Sequence, residues 1–270
     1  MIQTLIPPVR ALILDMDGVL WRGDQPIGNL PAIFETIQAQ GLRVALATNN
    51  ATRTAEQYAQ KLLRFGVTFD PQFIVTSADA TAYYLHQQFP QGGPIYLIGE
   101  EGLRQALAQY GFHPVEDGQV LAVVAGLDRQ LTYEKLRRAT LLIRQGIPFI
   151  GTNPDRTYPS PEGLVPGAGT VLAALEAASD VRPIIIGKPF PTLFRVALER
   201  LNSHPQETLV VGDRLDTDIL GAQQAGLRAA LVLSGVTTTE EARHWSPPPN
   251  LIAPTLAHLL GIEQNDDPES

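Results

Sequence analysis

The sequence predicts an α/β fold, a doubly wound parallel sheet carrying an inserted second α/β domain. Three observations predict it. Short apolar runs alternate with helix-period stretches along nearly the whole chain. The runs are continuously apolar, the pattern of parallel strands covered on both faces. Polar residues cluster directly after several runs, at the strand ends where an open parallel sheet gathers its ligands.

The first strand is "VRALIL", ending at Leu14. Leu30, Ile33, Phe34 and Ile37 then keep helical spacing, with Asn29 as N-cap, Pro31 in the first turn and Gly41 as the stop. "LRVALA" is the second strand. Thr54 and Gln57 have capping-box spacing and open a helix that Gly66 closes. "QFIVT" is the third strand. "PIYLIG", "VLAVVAG" and "IPFIG" come next, separated by helices over Glu101–Tyr110 and Thr132–Gln145; a further helix spans Thr170–Ala178. "RPIIIG", a helix with Phe194, Ala197, Leu198 and Leu201 on one face, "TLVVG", a helix ending at Gly226 and "RAALVL" complete the pattern. Residues 1–79 and 183–270 are read as the core, and residues 80–182 as the inserted domain. The tail from Gln264 is predicted to be disordered.

Composition narrows the function. The 270 residues are 44% apolar, with 20 basic and 28 acidic side chains and a formal charge of −8. No basic stretch suits a nucleic acid. The absence of cysteine excludes a thiolate nucleophile and a thiolate-bound metal. No apolar run approaches the roughly 18–20 residues of a membrane span. "MIQTLIPPVR" lacks signal-peptide regions, so the expected compartment is the cytoplasm.

Four strands are expected to deliver polar groups to one sheet edge. Asp15 and Asp17 come after the first strand, and Thr48, Asn49 and Asn50 after the second. Lys188 comes after "PIIIG", while Asp213, Asp216 and Asp218 come after "TLVVG". Two carboxylates about 4 Å apart repel by roughly 4 kcal/mol at an effective dielectric near 20. Such a crowd calls for a hard cation, and oxygen ligands select Mg²⁺. Lys188 and Thr48 offer an ammonium and a hydroxyl to a phosphate. The set suits phosphoryl transfer, with one carboxylate as nucleophile and another moving the proton. Asp216 reads as a helix N-cap instead.

In order, "DMDGVLW", "TNN", "GKP" and "GDRLDTDI" resemble the four motifs of the haloacid dehalogenase superfamily. The large insert, with "GTNPDRTYP" near its end, resembles the subfamily IIA, NagD-like 4-nitrophenyl-phosphatase branch. The resemblance runs from about Val9 to Ala257. It implies a Rossmann-like core with a cap at 80–182, and a Mg²⁺-dependent phosphatase acting on a small phosphorylated metabolite. It implies Asp15 as nucleophile and metal ligand, and Asp17 as acid–base residue whose carbonyl meets the metal. Thr48, Asn49 and Asn50 would bind the phosphoryl group, Lys188 would hold it and the nucleophile, and Asp213 would bind the metal. Asp218 would complete the metal cluster from behind or orient Lys188. Residues Gly18–Ile27 resemble the family's mobile flap, in which Trp21 either packs or touches substrate. The "TNPDRTYP" loop would face substrate through Asp155 and Arg156; the competing reading is a loop held by its own Asx-turn chemistry. A homodimer through the cap is compatible with the resemblance. An acid at position 17 goes with phosphatases and mutases, because a basic leaving alkoxide needs a proton.

Two other functions compete. A receiver-like phospho-acceptor module also combines acids, Thr and Lys, but phosphorylates an aspartate on a later strand. A phosphotransferase or mutase would pass the group to a second sugar. "PGAGTVL" is no dinucleotide loop, since Leu172 stands where the third glycine belongs.

Overall fold

The computed structural model describes residues 1–160 and 162–262, so the expected tail disorder lies outside the described residues. β1 (Ala11–Leu14) is buried at every position, and each such Leu or Ile stabilises the fold by roughly 1.5–3 kcal/mol. A short antiparallel ribbon comes next, β2 (Trp21–Arg22) with β3 (Gln25–Pro26). α1 (Leu30–Ala39) starts as predicted, with the Asn29 side chain accepting Ala32 N–H at 3.2 Å. Gly41, at φ +67°, takes the left-handed turn that ends it. After β4 (Arg43–Thr48), Thr54 and Gln57 exchange two hydrogen bonds of 3.0 and 3.3 Å and open α2 (Ala55–Arg64).

Beyond β5 (Ile74–Thr76) comes a helix the periodicity does not mark, α3 (Ser77–Gln88). Its buried face mixes Ser77 and Thr81 with Ala78, Ala80, Ala82 and Leu85, so no stripe of large apolar residues repeats at helical spacing. The chain continues through β6 (Gly93–Ile98), α4 (Glu101–Ala108), β7 (Phe112–Pro114), β8 (Val123–Ala125), α5 (Tyr133–Arg144) and β9 (Phe149–Gly151). A hairpin, β10 (Thr157–Ser160) with β11 (Gly163–Pro166), precedes α6 (Ala168–Ser179) and the two-residue β12 (Ile184–Ile185). α7 (Thr192–Leu201), β13 (Thr208–Gly212), α8 (Leu220–Gln224), β14 (Arg228–Val232), α9 (Thr239–His244), β15 (Leu251–Ala253) and α10 (Leu256–Leu260) complete the order.

Two parallel sheets result. The larger has the order β15-β14-β13-β1-β4-β5, with Leu14 beside both Val211 and Leu46. The smaller has the order β12-β9-β8-β6-β7 and is parallel throughout. Its core joins Ile98, Val123, Ala139, Ile143, Phe149 and Leu175. Packing divides the chain into two compact units, residues 1–47, 59–74 and 197 onward, and residues 48–58 with 75–196.

One expectation is corrected. "RPIIIG" does not add a strand to the sheet of β1. Ile184 and Ile185 pair with Ile150 and Gly151 of β9, and Ile186 and Gly187 donate to Gly151 and Thr152 at 3.0 and 2.8 Å. Three of the four strands therefore belong to the larger sheet, and the one before Lys188 is an edge of the smaller. A continuous apolar run marks a buried strand but does not say which sheet it enters.

Candidate active site

β1 and β13 are adjacent and parallel, so the residues after each strand emerge at the same carboxyl edge. Asp15 N–H extends the ladder to the Val211 carbonyl at 2.8 Å. Beyond β13 the chain makes a wide π turn over Leu215–Ile219, which carries Asp218 back toward the strand end. One oxygen each of Asp15, Asp213 and Asp218 lies within 4.8 Å of the others, with Asp213 and Asp218 buried. The Asp218 carboxylate accepts Arg214 N–H at 3.1 Å. The Asp213 carboxylate accepts Val236 N–H at 2.7 Å. Asp216 is not the N-cap the sequence suggests: it pairs with the Arg214 guanidinium at 3.0 and 3.2 Å, and Arg214 opens the turn without a side-chain cap. The all-oxygen set of three carboxylates, two of them buried, fits a hard divalent cation.

Glycines wall this cluster. A Cβ on Gly18, at φ +80°, would stand 2.4 Å from Asp213 Oδ2, and one on Gly235 would stand 1.9 Å from it. Neither distance is tolerable, so any side chain there displaces the carboxylate. Gly235→Ala is expected to raise the Mg²⁺ concentration for half-maximal activity by roughly 10–100-fold. A metal titration of activity, beside a melting curve, checks it.

Asp17 is exposed, and its Oδ1 receives the indole N–H of Trp21 at 3.0 Å. Trp21 itself is fully buried. It therefore packs the ribbon and does not present its ring to solvent.

The second unit gathers the other predicted residues around Asn49. Its Oδ1 accepts Lys188 N–H at 2.7 Å, and its Nδ2 donates to the Lys188 carbonyl at 3.0 Å. The same Nδ2 lies 3.2 and 3.3 Å from the two Asp155 oxygens. The Asn49 carbonyl accepts the Ser77 hydroxyl and, at 2.7 Å, Asn153 Nδ2. A Cβ on Gly187 would meet Thr152 O at 2.6 Å and Asn49 Oδ1 at 2.7 Å, which explains the glycine of "GKP". Thr48 Oγ1 accepts Asn50 N–H at 3.2 Å, and Asn50 Oδ1 receives both the N–H and hydroxyl of Thr52 at 2.8 Å.

The "TNPDRTYP" loop does contain an Asx turn, Asp155 N–H to Asn153 Oδ1 at 3.1 Å, while Arg156 is exposed. Gly167 and Gly169 donate to the carbonyls of Arg156 and Asp155 at 2.8 Å each. A Cβ on either glycine would stand 2.3 Å from a loop carbonyl. Close approach to this loop, and not a phosphate cradle, accounts for both glycines. Sequence reading missed the Asn49–Lys188 clamp and the Trp21–Asp17 bond; the only local signal was the indole four residues after the acid.

Comparison with known proteins agrees with the motifs. The family described as haloacid dehalogenase-like hydrolase matches residues 12–113, and a HAD-hydrolase-like family matches residues 185–259. An acid sugar phosphatase of Staphylococcus aureus is 38% identical over 240 residues, covering 89% of this chain and 92% of its own. The chain belongs to the haloacid dehalogenase-like hydrolases. Asp15, Asp17, Thr48 and Asn49 of this hydrolase fall in the first matched stretch, and Lys188, Asp213 and Asp218 in the second. The hydrolase is also similar to the 4-nitrophenylphosphatase of Thermotoga maritima, with TM-score 0.88 and 33% identity over 94% of this chain and 98% of that one. A glycerol phosphate phosphatase of Mycobacterium tuberculosis in complex with magnesium gives TM-score 0.85 and 36% identity over 93% and 76%.

Proposed function

We propose that this hydrolase is a Mg²⁺-dependent phosphatase that cleaves small phosphomonoesters through a phosphorylated Asp15. The observation that carries the reading is the meeting of Asp15, Asp213 and Asp218 within 4.8 Å at one strand edge. Asp15, Asp213 and Asp218, with the Asp17 carbonyl, would hold the ion. Bound there, Mg²⁺ neutralises the carboxylates and the charge of the phosphoryl group. The phosphatase names of the relatives, one of them a magnesium complex, support the reading.

An Asp15 oxygen attacks phosphorus as the ester P–O bond breaks, and Asp17 gives its proton to the departing alkoxide. Water then attacks the aspartyl phosphate, yields a proton to Asp17, and releases phosphate with the Asp15 carboxylate restored. Lys188 supplies positive charge to the transferring oxygens. Thr48, Asn49 and Asn50 shape the loop that binds them; the bond from Asn50 N–H orients the Thr48 hydroxyl. Residues 80–182 select the leaving group, with Asp155 and Arg156 as the substrate-facing pair. No helix among the described residues is long and apolar enough to cross a membrane, and the cytoplasm is the proposed compartment.

Purified protein is expected to release 4-nitrophenol and equimolar inorganic phosphate from 4-nitrophenyl phosphate, to lose that activity in EDTA and to regain it with Mg²⁺. Undiminished turnover in EDTA would overturn the metal assignment. Transfer of the group to an added sugar without free phosphate would overturn hydrolysis.

A further inference from the structure

We propose that Trp21 is a positioning residue for proton transfer: its indole holds the Asp17 carboxyl in the orientation that serves the leaving alcohol, and Lys61 holds the indole. The inference rests on the assignment of Asp17 as the acid–base group.

Trp21 is 0% exposed, and its Nε1–H donates to Asp17 Oδ1 at 3.0 Å. A buried indole N–H needs an acceptor, and a backbone carbonyl would satisfy packing alone. Here the acceptor is the carboxyl two residues after the nucleophile. The backbone reinforces the pair, since Asp17 and Trp21 form a bridge and Gly18 N–H donates to the Trp21 carbonyl at 2.8 Å. With Oδ1 held, the rotamer and plane of a largely exposed carboxyl are fixed, so the proton is exchanged from a defined direction.

The indole is held in turn by α2. Lys61, itself 8% exposed, places Nζ 4.3 Å from the ring centroid and donates to the Gly23 carbonyl at 2.6 Å. Phe65 packs a second ring with its centroid 5.9 Å away. A cation over the indole face draws density from the ring, which strengthens its N–H as a donor. The same ammonium ties the turn between β2 and β3, so ribbon, indole and carboxyl move as one piece.

The chemistry separates this role from packing. In the first step the ester P–O bond breaks, the P–O bond to Asp15 forms, and the Asp17 proton ends on the alkoxide oxygen as alcohol. An alkyl alkoxide is strongly basic and needs that proton, whereas 4-nitrophenolate departs with little help. A misoriented Asp17 therefore penalises alkyl esters selectively.

The test compares kcat/KM for glycerol phosphate and 4-nitrophenyl phosphate, in saturating Mg²⁺, for Asp17→Asn, Trp21→Phe and Lys61→Met. Trp21→Phe keeps a buried ring and removes the donor. It is expected to lose at least roughly tenfold more on the alkyl ester than on the nitrophenyl ester. Lys61→Met should bias the same way by a smaller factor, and it carries the test if Trp21→Phe fails to fold. Asp17→Asn should show the largest bias. Equal losses on both esters for Trp21→Phe and Lys61→Met, with the bias present in Asp17→Asn, would overturn the inference and leave the role of Asp17 standing. No bias in Asp17→Asn would sink the acid–base assignment itself, and the inference with it.

Discussion

Asp15→Asn is expected to lower kcat/KM by about four orders of magnitude or more, close to 5 kcal/mol or more of transition-state stabilisation. An amide oxygen is a poor nucleophile, so the first step loses its attacking group. The same change weakens one of three oxygens gathered within 4.8 Å, and the two effects must be told apart. Asp213→Asn also removes a ligand but leaves the nucleophile, so excess Mg²⁺ should recover much of its activity. Asp15→Asn should stay inactive at any Mg²⁺ concentration. Rapid-quench trapping of a phosphoenzyme in wild type, and its absence in Asp15→Asn, is the direct measurement. Near-normal turnover by the variant would mean that water attacks phosphorus without a covalent step.

The acidic half of the site was legible because it is local. Asp15 and Asp17 come just after a four-residue apolar run, and Asp213 directly after another with Asp218 five residues behind it, so a parallel-sheet reading sends them to one edge. Turn chemistry was legible for the same reason: Asn29, Thr54, Gly41 and Gly66 act within a few residues of themselves. Illegible features depend on partners far along the chain or on patterns that local rules disfavour. Ile184 and Ile185 would suit either sheet, and only pairing with β9 decides between them. The β10–β11 hairpin is proline-rich, a composition that argues against strands except at edges. α3 buries Ser77 and Thr81 beside small alanines and shows no stripe of large apolar residues. Asn49 reads as a phosphate contact from "TNN", yet its carboxamide binds a peptide 139 residues away.

That clamp gives the second large effect. Asn49→Ala is expected to lower kcat by roughly 10²–10³ while changing KM far less, the pattern of a group that positions catalytic machinery. Asn49 is 9% exposed and Lys188 3%, so water does not readily replace what the carboxamide provides. Truncation leaves the Lys188 N–H and carbonyl without their shared partner, at about 1–3 kcal/mol for each buried group. It also removes the donor facing both Asp155 oxygens, one of the links between the loop after β9 and the lysine segment, beside the bond from Gly187 N–H to Thr152. A lower melting temperature should accompany the kinetic loss, so stability alone does not reveal the role. The decisive measurement is a double-mutant cycle with Lys188→Met. If Asn49 works by aiming Lys188, the double variant loses little more than Lys188→Met alone, because there is no ammonium left to aim. Losses that multiply would show Asn49 acting on the phosphoryl group independently of the lysine, as the motif by itself suggests.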